Sequence, residues 1–190
     1  MASVFDVAAL IGREVPVTRM KLHKLLYYAQ AWSLAWDGEA LFGERIEAWE
    51  RGPVVRELWG HQQHGIARSG DIAALSQAQR ETVYAVIEFY GRFGGDLLSE
   101  FTHCEAPWRS ARQGTPPGAR SQAEITHEQM RRYYSQIPTH GKRIPHEHAQ
   151  ELQALTKMPP ELLDELLSDG CDETPLPAGD HLDWLEGACA

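Results

Sequence analysis

The chain has 190 residues, 43% hydrophobic and 24% charged, with a mean hydropathy of -0.42 and a formal net charge of -9. That is enough apolar material for one core and a small appendage, and it excludes disorder throughout. No apolar run approaches the roughly 18 residues needed to span a bilayer, and Met1 to Leu10 lack the charged start and apolar stretch of a signal peptide, so a cytoplasmic protein is expected.

The charge is uneven. From His146 to Ala190 there are eleven Asp or Glu and one Lys, a balance of -10, which leaves +1 for Met1 to Pro145. An acidic chain gains little from phosphate electrostatics, so no strong nucleic-acid binding is expected. An acidic tail suits solubility or a basic protein partner. Cys104, Cys171 and Cys189 are far apart and form no C-x-x-C pair, which reads as reduced thiols rather than a disulfide framework or zinc finger.

In chain order, Thr18 to Trp36 is the first predicted helix. Leu22, Leu25, Leu26, Ala29, Trp32 and Ser33 recur at three- and four-residue spacing, with Thr18 as N-cap and Gly38 as stop. A second stripe, His23, Tyr27, Gln30 and Leu34, lies beside the first, so the helix is expected at the centre of the domain. Ile46 and Ala48 alternate with Glu47 and Trp49, the period of a short half-buried strand. Gly52-Pro53 then punctuates the chain, and Pro53 suits the first turn of a helix carrying Val54, Val55, Leu58 and Trp59. Ser76 with Gln79 predicts a capping box for a helix to Tyr90. Leu97, Leu98 and Phe101 mark a shorter helix, and Pro107 starts another turn bearing Trp108. Residues 113–121 form a Gly/Pro-rich loop. Thr126 with Gln129 predicts another capped helix, carrying Met130, Tyr133 and Tyr134. After a hinge from Pro138 to Pro145, weaker helices are expected at Pro145 to Thr156 and Pro159 to Ser168. The last twenty residues are expected to be loosely ordered unless Leu182, Trp184 and Leu185 dock.

The expected fold is therefore mainly α: a compact single-domain helical bundle, with at most a small β-hairpin near 41–49 and a C-terminal helical extension. The domain is placed at 1–137 and an acidic, partly helical extension at 138–190.

Three stretches carry a resemblance: Met20 to Gln30 (Met-Lys-Leu-His-Lys-Leu-Leu-Tyr-Tyr-Ala-Gln), Ile46 to Val55 followed by Leu58, and Tyr90-Gly91 followed by Thr102 to Trp108. Together, in this order, they resemble the Panacea domain of SocA-type and phage-associated GepA-type antitoxins, over about Ala2 to Ile137. His23 stands where Gln is usual, and Arg51 where an aromatic residue is common before Gly-Pro. The resemblance implies a toxin–antitoxin setting, linked to phage defence, in which the chain neutralises a cognate protein toxin by direct binding. SocA-type members also deliver the toxin to a protease, so an adaptor acting through a protease or on a host protein is the alternative. No enzyme activity and no cofactor are implied.

Seven residues are candidates for partner binding, each with a plainer reading. Lys24 lies off the main apolar stripe with Lys21, where it could meet acidic groups or simply be solvated. Tyr28, beside Tyr27 and Trp32, is an aromatic anchor or core. Trp49, Arg51 and Trp59 bracket the Gly52-Pro53 corner, which either presents a hot-spot composition or packs one helix on another. His103, Glu105 and Trp108 form the most enzyme-like cluster, since a histidine near a carboxylate could move protons. His103 bridging two helices by hydrogen bonds is the plainer role, and His103 and Trp108 stand among the partner-binding candidates. H-x-E is not H-E-x-x-H, and His140, His146 and His148 read as surface histidines, so no metal site is expected. Phosphate-binding loops and nucleophile elbows are absent.

Overall fold

The computed structural model describes residues 2–64, 69–159 and 161–163. Two units are distinguished, Met1–Met158 and Pro159–Ala190. Within the first lie helices α1 (Val4–Glu14), α2 (Arg19–Trp36), α3 (Arg56–Gln63), α4 (Gln77–Tyr90), α5 (Gly95–Cys104), α6 (Ala106–Ala111), α7 (His127–Tyr134) and α8 (His146–Leu155). A single turn of 3₁₀ helix covers Ile72–Ala74, and strands β1 (Ile46–Trp49) and β2 (Gly52–Val55) form one antiparallel hairpin. The mainly helical expectation, with a small hairpin, matches this architecture. In the second unit Glu161–Leu163 are helical, and the rest of the helix expected to Ser168, with Leu182, Trp184 and Leu185, lies outside the described residues.

α2 is the central pillar, because its residues from His23 to Leu34 are all buried. Thr18 caps it as expected, its Oγ1 accepting from the Lys21 amide at 3.2 Å. An α-helix apolar on one stripe alone would show water its other faces; this one is wrapped by α1, α4, α5, α7 and the hairpin, so its polar residues also need partners inside. Gln30 illustrates the solution. Its Oε1 accepts from the amides of Leu41 and Phe42 at 2.9 and 3.1 Å, and its Nε2 donates to the Phe42 carbonyl at 3.0 Å. The predicted capping boxes at Ser76 and Thr126 are both formed.

Two elements differ from the sequence expectation. α1 was not anticipated, although Ser3 and Asp6 form a capping box, with the Ser3 amide donating to Asp6 Oδ2 at 2.8 Å, and Val4, Val7, Leu10 and Ile11 make its buried stripe. Pro53 does not start a helix. Gly52–Val55 pair with β1 in the register Ile46↔Val55 to Trp49↔Gly52, and α3 begins only at Arg56. Pro53 is tolerated because it stands opposite Ala48, whose amide and carbonyl bond away from β2 to Ala123 and Arg112, so the ladder asks for no donor there. The free edge of β1 is covered by residues 123–125: the Ala48 amide donates to the Ala123 carbonyl at 2.8 Å and the Ile125 amide to the Ile46 carbonyl at 2.9 Å. Ile144, Ala149 and Leu152 join the same core as α2, so the chain beyond Pro138 packs on the helical body as far as α8.

Candidate functional site

The hairpin turn is the point where the three sequence motifs meet. Glu50 and Arg51 form the turn, and Gly52 follows with φ at +89°. A two-residue turn leaves several carbonyls without ladder partners, and buried carbonyls need donors. Side chains from three helices supply them. Arg112 Nη1 donates to the Ala48 carbonyl at 2.9 Å, and Trp108 Nε1 to the Trp49 carbonyl at 2.9 Å. The His103 ring lies near the Glu50 backbone. Ser99 Oγ donates to the Arg51 carbonyl at 2.6 Å, and Lys24 Nζ to the Pro53 carbonyl at 3.1 Å. On β2, the Val55 amide donates to His23 Nδ1 at 3.2 Å. The turn is thus gripped from beneath along its length, and its conformation is fixed before any partner arrives.

Gly52 is required here. A Cβ at this position would stand 2.7 Å from Thr102 Oγ1 and 2.8 Å from both Lys24 Cε and Nζ, on a backbone that L residues rarely adopt. Trp108 does a second job: its ring stacks on His103 with centroids 4.1 Å apart, and the Arg112 guanidinium lies 5.0 Å from its centroid. Burial holds His103 and His23 neutral, each lowered to about 4, with the nearby Lys24 charge adding to the effect. Lys24 itself is pulled down to about 7, first by burial and then by Arg51.

A second buried cluster surrounds Glu105. The Glu105 carboxylate, fully buried, accepts from Tyr134 Oη at 2.8 Å and from Tyr27 and Tyr28 Oη at 3.2 Å each. Burial pushes its pKa up to about 8, although the three hydroxyl donors pull the other way. Tyr28 also stacks on Tyr90, whose hydroxyl accepts from Trp32 Nε1 at 3.3 Å. Glu105 points into this cluster while His103 points to the hairpin, so the two do not form an acid–base pair despite their spacing. Among the described residues, no group of three or more His, Cys, Asp or Glu is arranged to hold a metal ion.

The seven candidates therefore divide by depth. Lys24 and Tyr28 are 1% and 0% exposed, so in this structure neither side chain lies at the surface. Lys24 props the turn, and Tyr28 supports α5 through Glu105. His103 and Trp108 are half-buried and hold the turn from one side. Trp49 and Trp59 are half-buried and Arg51 is exposed, and these three flank the outer face of the corner. The two indoles meet edge to face, centroids 4.9 Å apart and planes at 63°. Trp49 Nε1 is oriented by Glu47 Oε2 at 2.7 Å.

The sequence reading missed Arg56. Its guanidinium lies 5.3 Å from the Trp59 ring centroid and 6.0 Å from that of Trp49. Its position three residues before Trp59 on a helix was the available signal, hidden while the helix was thought to start at Pro53. Arg112, four residues after Trp108, was legible by the same rule.

Among the described residues no helix is long and apolar enough to cross a membrane. Residues 22–109 match the family of antitoxin SocA-like proteins, Panacea domain. The matched stretch runs from α2 through the hairpin to α6 and contains every side chain that grips the turn except Arg112. No curated protein and no solved structure matches the chain.

Proposed function

We infer, from the match of residues 22–109 to the SocA-like Panacea antitoxin domain, an antitoxin that neutralises a cognate protein toxin by direct contact. The observation that carries the surface is the gripped hairpin turn with Trp49, Arg51 and Trp59 at its outer face. Tryptophan and arginine dominate interface hot spots, and a preorganised turn loses little freedom on binding. His103 and Trp108 act as the positioning residues of this corner, together with Lys24. A reading by contact rather than chemistry fits the burial of Glu105 among tyrosines and of Lys24 against the Pro53 carbonyl.

The segment after Pro138 is proposed to contribute partner choice, since it lies outside the matched domain. The test is co-expression in bacteria of each neighbouring open reading frame with and without this chain, followed by purification. Growth rescue with a co-purifying complex supports a contact antitoxin. Rescue with loss of the toxin, and no complex, supports delivery to a protease instead. Absence of toxicity from every neighbour overturns the antitoxin reading.

A further inference from the structure

We infer that the hairpin corner takes an acidic protein segment, with Arg56 as the residue that receives its carboxylate; this rests on the antitoxin reading and names the chemistry of the partner. Arg56 is the first residue of α3, exposed, and its guanidinium lies against both indoles of the Trp49–Trp59 pair. Stacking on aromatic faces fixes a guanidinium while leaving its in-plane N–H edges outward, the geometry that binds a carboxylate through two parallel hydrogen bonds.

Among the described residues no carboxylate occupies that edge. Arg13 and Arg45 differ, for each faces its own acid, Glu14 at 2.7 Å and Glu124 at 3.4 Å. Arg51 holds Asp96 at 3.1 Å, with the two side chains 69% and 86% exposed. An ion pair so exposed is worth little and exchanges readily for a better-placed acid. The corner therefore offers one preset cation on two indole surfaces and one exchangeable cation two residues from Trp49 in the chain. A carboxylate flanked by apolar side chains complements all four.

The test uses the full chain and the toxin encoded by a neighbouring gene that it rescues in co-expression. Arg56→Gln, which loses only a weak, exposed cation–π contact and so keeps the fold, is expected to weaken toxin binding about tenfold or more, the range of an interface hot spot. Arg56→Lys, which keeps the charge but loses the fork, is expected to fall between. Arg56→Glu is expected to abolish rescue, and a Glu or Asp to Arg change in the toxin is expected to restore it. Unchanged affinity in Arg56→Gln and Arg56→Glu, with wild-type binding intact, overturns this inference and leaves the antitoxin reading standing. No toxin binding by the wild-type chain overturns both. Binding of a single-stranded oligonucleotide at physiological salt that Arg56→Gln removes also overturns it.

Discussion

Replacing Gly52 by alanine is the sharpest perturbation of the turn. Two costs add. A left-handed backbone costs an L residue about 1–2 kcal/mol, and Gly52 sits at φ +89°. The new Cβ must also displace the Lys24 amine or the Thr102 hydroxyl, which are both buried. Displacing Lys24 breaks its bond to the Pro53 carbonyl, a loss of about 1.5–3 kcal/mol for a bond made by a charged donor. The expected destabilisation is the sum, about 2.5–5 kcal/mol. Gly38→Ala supplies the control, because Gly38 has φ +71° but nothing within 4 Å of its Cβ position. It carries the backbone cost alone, about 1–2 kcal/mol. Urea unfolding followed by tryptophan fluorescence, at equal m-value, gives both numbers. Equal losses in the two variants would refute the close gripping of the turn, since the crowding contribution would then be absent.

Other expectations follow from the same geometry. Trp108→Phe keeps the stacking on His103 but removes the donor to the Trp49 carbonyl; a loss of about 1–3 kcal/mol is expected, the cost of an unpaired buried acceptor, read by the same unfolding assay. Glu105 is raised from 4.5 to about 8 in the folded chain, so the native state holds a proton that the unfolded state has released. Its contribution to stability is therefore full below about 4.5 and is lost as pH rises through about 8, by at most about 1.4 kcal/mol per pH unit. Subtracting the profile of Glu105→Gln from that of the wild type isolates this slope, and a flat difference between pH 5 and 8 contradicts it. His23, His103 and His148 are each lowered to about 4 by burial, His23 and His103 also by Lys24. There the unfolded state binds more protons, so stability rises with pH from about 4 to 6.5, and a triple Gln variant that still folds loses that rise.

Much of the fold was legible because the local rules agreed with the tertiary outcome. α2, α4, α5 and α7 have clear apolar stripes, and Thr18, Ser76 and Thr126 cap where their hydroxyls can meet the third amide. β2 was not legible, since Gly52-Pro53-Val54-Val55 fits a helix start as well as a strand, and only pairing with Ile46–Trp49 decides it. α1 was overlooked although Ser3, Asp6 and the stripe from Val4 to Ile11 announce it. The site was half legible. Trp49, Arg51 and Trp59 bracket the Gly52-Pro53 corner in the sequence itself, whereas the approach of His103 and Trp108 to that turn is a tertiary contact that their spacing does not reveal. Lys24 and Tyr28 were not surface residues, because the groups that make their burial tolerable, the Pro53 carbonyl and Glu105, are 29 and 77 residues away in sequence. No helical period reveals such partners, and Arg56 stayed hidden until the start of α3 was known.

The most direct measurement is a binding titration between the purified chain and its neighbour-encoded toxin, with Trp49→Ala/Trp59→Ala as the comparison and circular dichroism to confirm that the variant keeps its fold. A stoichiometric wild-type complex that the folded double variant cannot form, with rescue lost in parallel, is the expected result. A double variant that binds and rescues like the wild type would contradict the hairpin corner as the contact surface.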